Sequence, residues 1–145
     1  LRILNYKIIG NHGLFINTSQ KENQIFLINN FEIVEKLTYI ANDNLENQFF
    51  ENLERFLIKN KIRFSDLNFL VVFCGPGGFT GTRIAISFAN AAKLALPELN
   101  IFDLYNDFST QSIVARIREK PLNNQILTAR YYKGPSITKA SSISD

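Results

Sequence analysis

The chain has 145 residues, a formal net charge of +3 and a 46% hydrophobic composition with 13 phenylalanines, which fits one folded domain, or a domain with a small appendage, and excludes a disordered chain. No apolar run reaches the roughly 18 residues of a membrane-spanning helix, and no basic segment with an apolar core opens the chain as a signal peptide would. One cysteine, Cys74, cannot form an internal disulfide, so a reducing cytoplasm is the expected location.

The charge is unevenly spread. From Arg116 onward six Lys/Arg (Arg116, Arg118, Lys120, Arg130, Lys133, Lys139) face only Glu119 and Asp145. A basic end of this size could touch nucleic-acid phosphates, but a solvated face is the commoner reading.

Residues 1–12 read as an N-terminal extension with one extra strand over 4–9. His12 is the only histidine in the chain, so no paired-histidine metal site can form. Residues 13–17, 23–29 and 33–40 read as three short strands rich in Ile, Leu, Val and Phe, separated by polar turns at 19–23 and 29–30. Three consecutive strands before a helix is how actin-like and ribonuclease-H-like lobes begin.

Asp43 and Glu46 have the spacing of a capping box, opening a helix that runs to about residue 60. Leu45, Phe49, Leu53 and Phe56 form its apolar stripe, and Phe50 and Leu57 widen that stripe. Glu51 and Glu54 beside Arg55 read as a solvated flank.

Phe69-Leu70-Val71-Val72-Phe73-Cys74 is an apolar run, the pattern of a strand buried on both faces. Gly75-Pro76-Gly77-Gly78-Phe79-Thr80-Gly81 follows, with four glycines in seven positions. Such a loop before a helix offers backbone N–H groups to an anion, so Gly75, Gly77, Gly78, Thr80 and Gly81 are the candidate phosphate-binding residues. Neither common phosphate loop fits, because Thr80 stands where both patterns need a glycine and no lysine follows. A connector that packs a helix closely on its strand is the alternative, with Thr80 as helix N-cap.

A helix over 82–96 comes next. Ile84, Ala85, Phe88, Ala89, Ala91, Ala92, Ala95 and Leu96 fill one broad side. Arg83, Ser87, Asn90 and Lys93 hold the other, interrupted by Ile86 and Leu94. A helix apolar almost all round is normally covered all round, and alanines let a neighbouring helix come close. The two helices are therefore expected to lie side by side and offer a surface to another protein. Its expected residues are Phe50 and Leu57 on the first helix, and Arg83, Ile86, Ala89, Ala92 and Lys93 on the second.

Residues 100–104 read as a strand ending near Asp103. A helix follows over 109–118, then a turn at 121–124, a last strand over 125–132 and a Ser/Thr-rich tail from 136. Cys74 reads as a buried hydrophobe rather than a nucleophile, since His12 is its only candidate base.

The full string Gly75-Pro76-Gly77-Gly78-Phe79-Thr80-Gly81-Thr82-Arg83-Ile84 resembles the G-P-G-S-F-T-G-x-R-I-G signature of the TsaB (YeaZ) family. Gly78 replaces the usual serine and Ala85 the final glycine. Residues 13–19 look like the family's opening strand, and Ile126-Leu127-Thr128-Ala129-Arg130 looks like its later L-I-D-A-R segment, with Thr128 in place of the aspartate. The match is close from about residue 43 to 102.

The resemblance implies an α/β fold built on an actin-like lobe over 13–104, with a reduced or truncated second lobe over 105–145. It implies a non-catalytic subunit of the bacterial machinery that makes threonylcarbamoyladenosine in tRNA. Its helix pair would dock on a TsaD-like enzyme as a heterodimer, with a TsaE-like ATPase as a second candidate partner. A homodimer is expected when the chain is alone, contact with tRNA is at most indirect, and no cofactor, metal or membrane is involved. With one histidine this chain is not TsaD, whose metal is held by paired histidines. Active phosphotransferases of the actin-like superfamily carry an aspartate at the end of the first strand. Asn17 stands there, and a neutral amide is a poor magnesium ligand. The alternatives are a small nucleotide-binding phosphotransferase or ATPase using the glycine loop, and a homodimeric module using the same helices on itself.

Overall fold

The structure is a computed structural model that describes residues 12–122 and 126–131. Its elements, in chain order, are strands β1 (His12–Asn17), β2 (Glu22–Asn29) and β3 (Glu32–Ile40), helix α1 (Leu45–Lys59), strand β4 (Phe69–Phe73), helix α2 (Phe79–Ala95), strand β5 (Asn100–Leu104) and helix α3 (Thr110–Ile117). One short 3-10 turn, Phe64–Asp66, lies before β4.

The strands form one five-stranded sheet in the order β3-β2-β1-β4-β5. β1, β2 and β3 pair antiparallel, while β4 lies parallel to β1 and β5 parallel to β4. The two parallel crossovers carry α1 and α2, as parallel pairing requires. β1 and β4 are central and buried along nearly their whole length, which explains the unbroken apolar run of β4. β3 is an edge strand, and every second residue of it is exposed.

Register sorts the side chains onto two faces. Leu14 is level with Leu27 and Leu70, and Leu70 with Ile101. This row meets Phe49, Leu53 and Phe56 of α1 and Ala85, Ile86, Ala89 and Ala92 of α2 in one core. One residue along, Phe15 is level with Phe26 and Val71, and Val71 with Phe102. That row meets Ile113 and Ile117 of α3 on the opposite face. Helix α3 thus packs on the sheet face opposite α1 and α2. Leu127 is also buried in the α1/α2 core.

Several local expectations are corrected. The turn between β2 and β3 is Asn30-Phe31, both with positive φ (54° and 65°), the backbone of a two-residue hairpin matched to strand twist. Phe31 accepts this conformation while packing against the α3-side core, with the Arg118 guanidinium 4.5 Å above its ring. The Asp43/Glu46 capping box does not form. Asn44 is the N-cap and makes no side-chain cap. Gln48 organises the entry instead, accepting from the Asn42 amide at 3.0 Å and donating to the Ile40 carbonyl at 2.7 Å. α2 starts three residues earlier than expected, with Gly78 rather than Thr80 as N-cap. Ser109 caps α3, accepting from Ser112 N–H.

Residues 126–131 form no strand ladder. One bridge joins Tyr131 to Gly77. The strand read over 4–9 and the tail from 136 lie outside the described residues. Among those described, no helix is long and apolar enough to cross a membrane.

Candidate partner-binding site

The glycine loop lies between the ends of β1 and β4, and its glycines serve close packing. A Cβ on Gly77 would strike Ser19, and one on Gly81 would strike the Thr18 carbonyl. Gly75 has φ +114°, and the Arg130 backbone passes where its side chain would be. The Gly78 N–H donates to the Ser19 carbonyl at 3.1 Å. Two glycine positions thus meet the β1–β2 turn directly, where a phosphate cradle would need open space. Thr80 is exposed in the first turn of α2.

Asn17, at the end of β1, is fully buried and polar-satisfied. Its amide nitrogen donates to Gln24 Oε1 at 3.0 Å, and its Oδ1 accepts from Ser19 N at 3.0 Å and Ser19 Oγ at 2.8 Å. The Asn17 oxygen is thus a turn-forming acceptor.

Cys74 is buried, and burial pushes its thiol up to about 12. His12 begins β1 while Cys74 follows the end of the parallel strand β4, so the two lie towards opposite ends of the sheet. Asp103 pairs with Arg116 at 2.9 Å, and Arg116 also donates to the Asp103 carbonyl at 2.7 Å. That aspartate is a structural partner of α3. Among the described residues no group of three or more His, Cys, Asp or Glu is placed to hold a metal.

The open surface is between α1 and α2. The helices meet through a cluster of rings, with Phe88 at its centre. Phe49, Phe50 and Phe64 lie 5.4, 5.9 and 5.5 Å from it, all edge-on. Above the cluster lies a groove of about 540 Å³ lined by Glu46, Phe50, Thr80, Arg83, Ile84, Ser87, Phe88 and Ala91. Phe50 is 43% exposed there, and Leu94 on the same helix as Ala91 is 84% exposed.

Not every expected docking residue faces this groove. Phe50 and Arg83 line it. Leu57 is half-buried against the core. Ile86, Ala89 and Ala92 are buried in the core shared with the sheet and do not line the groove. The alanines do permit close approach, but what approaches is the chain's own sheet. Lys93 curls back to donate to the Pro97 and Leu99 carbonyls, each at 2.7 Å, where its charge suits a helix C-terminus. Sequence reasoning missed Ile84, Phe88 and Ala91 as groove residues. The inward residues Thr82, Ala85, Ile86, Ala89 and Ala92 follow helical spacing, but Ala91 and Ala95 are as small and are exposed, so side-chain size alone does not orient the wheel.

No protein-family model matches the chain. It aligns over 100 residues, at 29% identity, with the MG208 homolog of Mycoplasma pneumoniae, covering 68% of this chain and 51% of that protein. It aligns at 33% identity over 100 residues with the tRNA threonylcarbamoyladenosine biosynthesis protein TsaB of Buchnera aphidicola subsp. Schizaphis graminum, covering 66% of this chain and 45% of that protein. Among solved structures, YeaZ from Pseudomonas aeruginosa superposes with a TM-score of 0.60 at 19% identity, over 66% of this chain and 44% of that one. The sheet and its helices thus share the YeaZ fold. The chain spans about half the length of the curated relatives it matches.

Proposed function

We propose that this chain, a member of the TsaB (YeaZ) family, serves tRNA threonylcarbamoyladenosine formation as a non-catalytic accessory subunit. Its task is to bind and stabilise a TsaD-like enzyme through the outer faces of α1 and α2. The observation that carries this reading is the groove itself. Phe50, Ile84, Phe88 and Ala91 line it between two helices whose inner faces are already spent on the sheet. A helix pair laid across it would bury apolar surface from both sides, and roughly 800 Å² per partner is ordinary for a stable complex.

The non-catalytic part is supported by the state of the two places where chemistry would be sought. The glycines pack against Thr18 and Ser19, and Asn17 Oδ1 is occupied by Ser19. Size-exclusion chromatography with the cognate TsaD-like enzyme tests the assignment. Co-elution as a heterodimer is expected, and separate elution at concentrations well above micromolar would refute it.

A further inference from the structure

Arg83 is the only cation lining the groove among the described residues. It is exposed and makes no ion pair among those residues, with Glu46 across the groove or with any other acid. Its guanidinium lies instead 5.0 Å from the centre of the Phe79 ring. Phe79 in turn packs against Tyr131 with ring centres 4.8 Å apart, and is still 59% exposed.

Tyr131 is fixed from a different part of the chain. Its backbone bridges to Gly77. The preceding residue, Arg130, donates its N–H to the Cys74 carbonyl at 2.7 Å and its Nη1 to Asn106 Oδ1 at 3.0 Å. The Phe79 ring, itself packed on Tyr131 from a separate segment, thus backs the one guanidinium that lines the apolar groove. A planar guanidinium stacked on a ring keeps its N–H edge free for a bidentate acceptor and loses less freedom on pairing than an unsupported side chain.

We propose that Phe79 and Tyr131 form a platform that presents Arg83 to a carboxylate of the partner, so that the helix docking in the groove carries an Asp or Glu beside its apolar row. The proposal rests on the groove being the partner site. Phe79 and Tyr131 act through Arg83 and are positioning residues.

The test is biolayer interferometry of the full chain with its cognate TsaD-like enzyme at low and high salt. Arg83→Ala should weaken binding about tenfold and flatten its salt dependence. Tyr131→Leu and Phe79→Leu should each weaken it several-fold, an effect that disappears in an Arg83→Ala background because the residues act as one unit. Arg83→Lys should restore the salt dependence without the full affinity.

An unchanged salt slope in Arg83→Ala overturns the proposal, as does a Tyr131→Leu effect of equal size in both backgrounds. Ala91→Glu, in the groove wall, separates the two readings. If it abolishes binding while Arg83→Ala is silent, only the platform falls. If neither substitution matters, or the unsubstituted chain does not bind, the groove assignment falls with it.

Discussion

The Thr18 hydroxyl donates to the Gly81 carbonyl at 2.6 Å and accepts from the Ala85 N–H at 3.2 Å. One side chain at the end of β1 thereby ties down the first two turns of α2. The contact requires glycine at position 81, where a Cβ would strike the Thr18 carbonyl. Gly81→Ala should therefore cost about 2 kcal/mol or more, since rigid backbone must move. Thr18→Val, which keeps the shape and loses both bonds, should cost about 1–3 kcal/mol. Urea unfolding followed by circular dichroism checks both, and a change below about 0.5 kcal/mol in Gly81→Ala would mean the approach is looser than described.

Ala89 is fully buried beneath α2. A glutamate there would have to enter the apolar core as an unpaired charge, a change of several kcal/mol. Ala89→Glu should thus lose its cooperative thermal transition, whereas Ala91→Glu, on the exposed arc, should unfold within a few degrees of the parent. Equal melting of the two variants would place α2 in the wrong rotation.

Cys74 gives a prediction in pH. Burial raises its thiol from 9.0 to about 12, so between those values the unfolded chain has released a proton that the folded chain retains. The unfolded state then binds fewer protons, and stability falls as pH rises. The contribution is intact below about pH 9 and lost progressively towards pH 12. At most it amounts to about 1.4 kcal/mol per pH unit. Tyr39, raised to about 12 by burial, declines in parallel, so Cys74→Ala isolates the cysteine. Unfolding midpoints at rising alkaline pH should drop less steeply in Cys74→Ala than in the parent, and identical slopes would contradict the assignment. Native Cys74 should also resist alkylation at neutral pH until the chain unfolds.

The packing of the glycine loop predicts no nucleotide site in the isolated chain. Gly77 and Gly81 abut Ser19 and Thr18, and Asn17 lacks the carboxylate that a magnesium-nucleotide would want. Isothermal titration with magnesium ATP should give no saturable heat. Micromolar binding would instead favour the phosphotransferase alternative.

Much of this fold could be read from residue pattern. The unbroken apolar run at 69–73 marked a strand buried on both faces, and the glycine loop marked the strand-to-helix turn. The ends of the elements were less legible because they depend on contacts distant in sequence. Asp43 and Glu46 have capping-box spacing, but Gln48 reaches the end of β3 and holds the entry to α1. Asn30-Phe31 carries no glycine to announce a left-handed turn, and Phe31 is supported by Arg118 far along the chain. The rotation of α2 was hidden for a related reason. A helix apolar on nearly all sides has no polar face to orient it, and only the core it shares with the sheet shows that Ala85, Ala89 and Ala92 point inward while Ala91 and Ala95 are exposed. The Tyr131–Phe79–Arg83 stack joins segments about fifty residues apart, which no local pattern could signal.

The central claim is that the face between α1 and α2 is where a TsaD-like enzyme docks. The most direct measurement is the dissociation constant of that enzyme for the parent chain and for Ala91→Glu, with melting temperatures recorded alongside. The account predicts tight binding by the parent and at least a hundredfold loss in Ala91→Glu, about 2.7 kcal/mol, at an unchanged melting temperature. Equal affinity of the two proteins would contradict it.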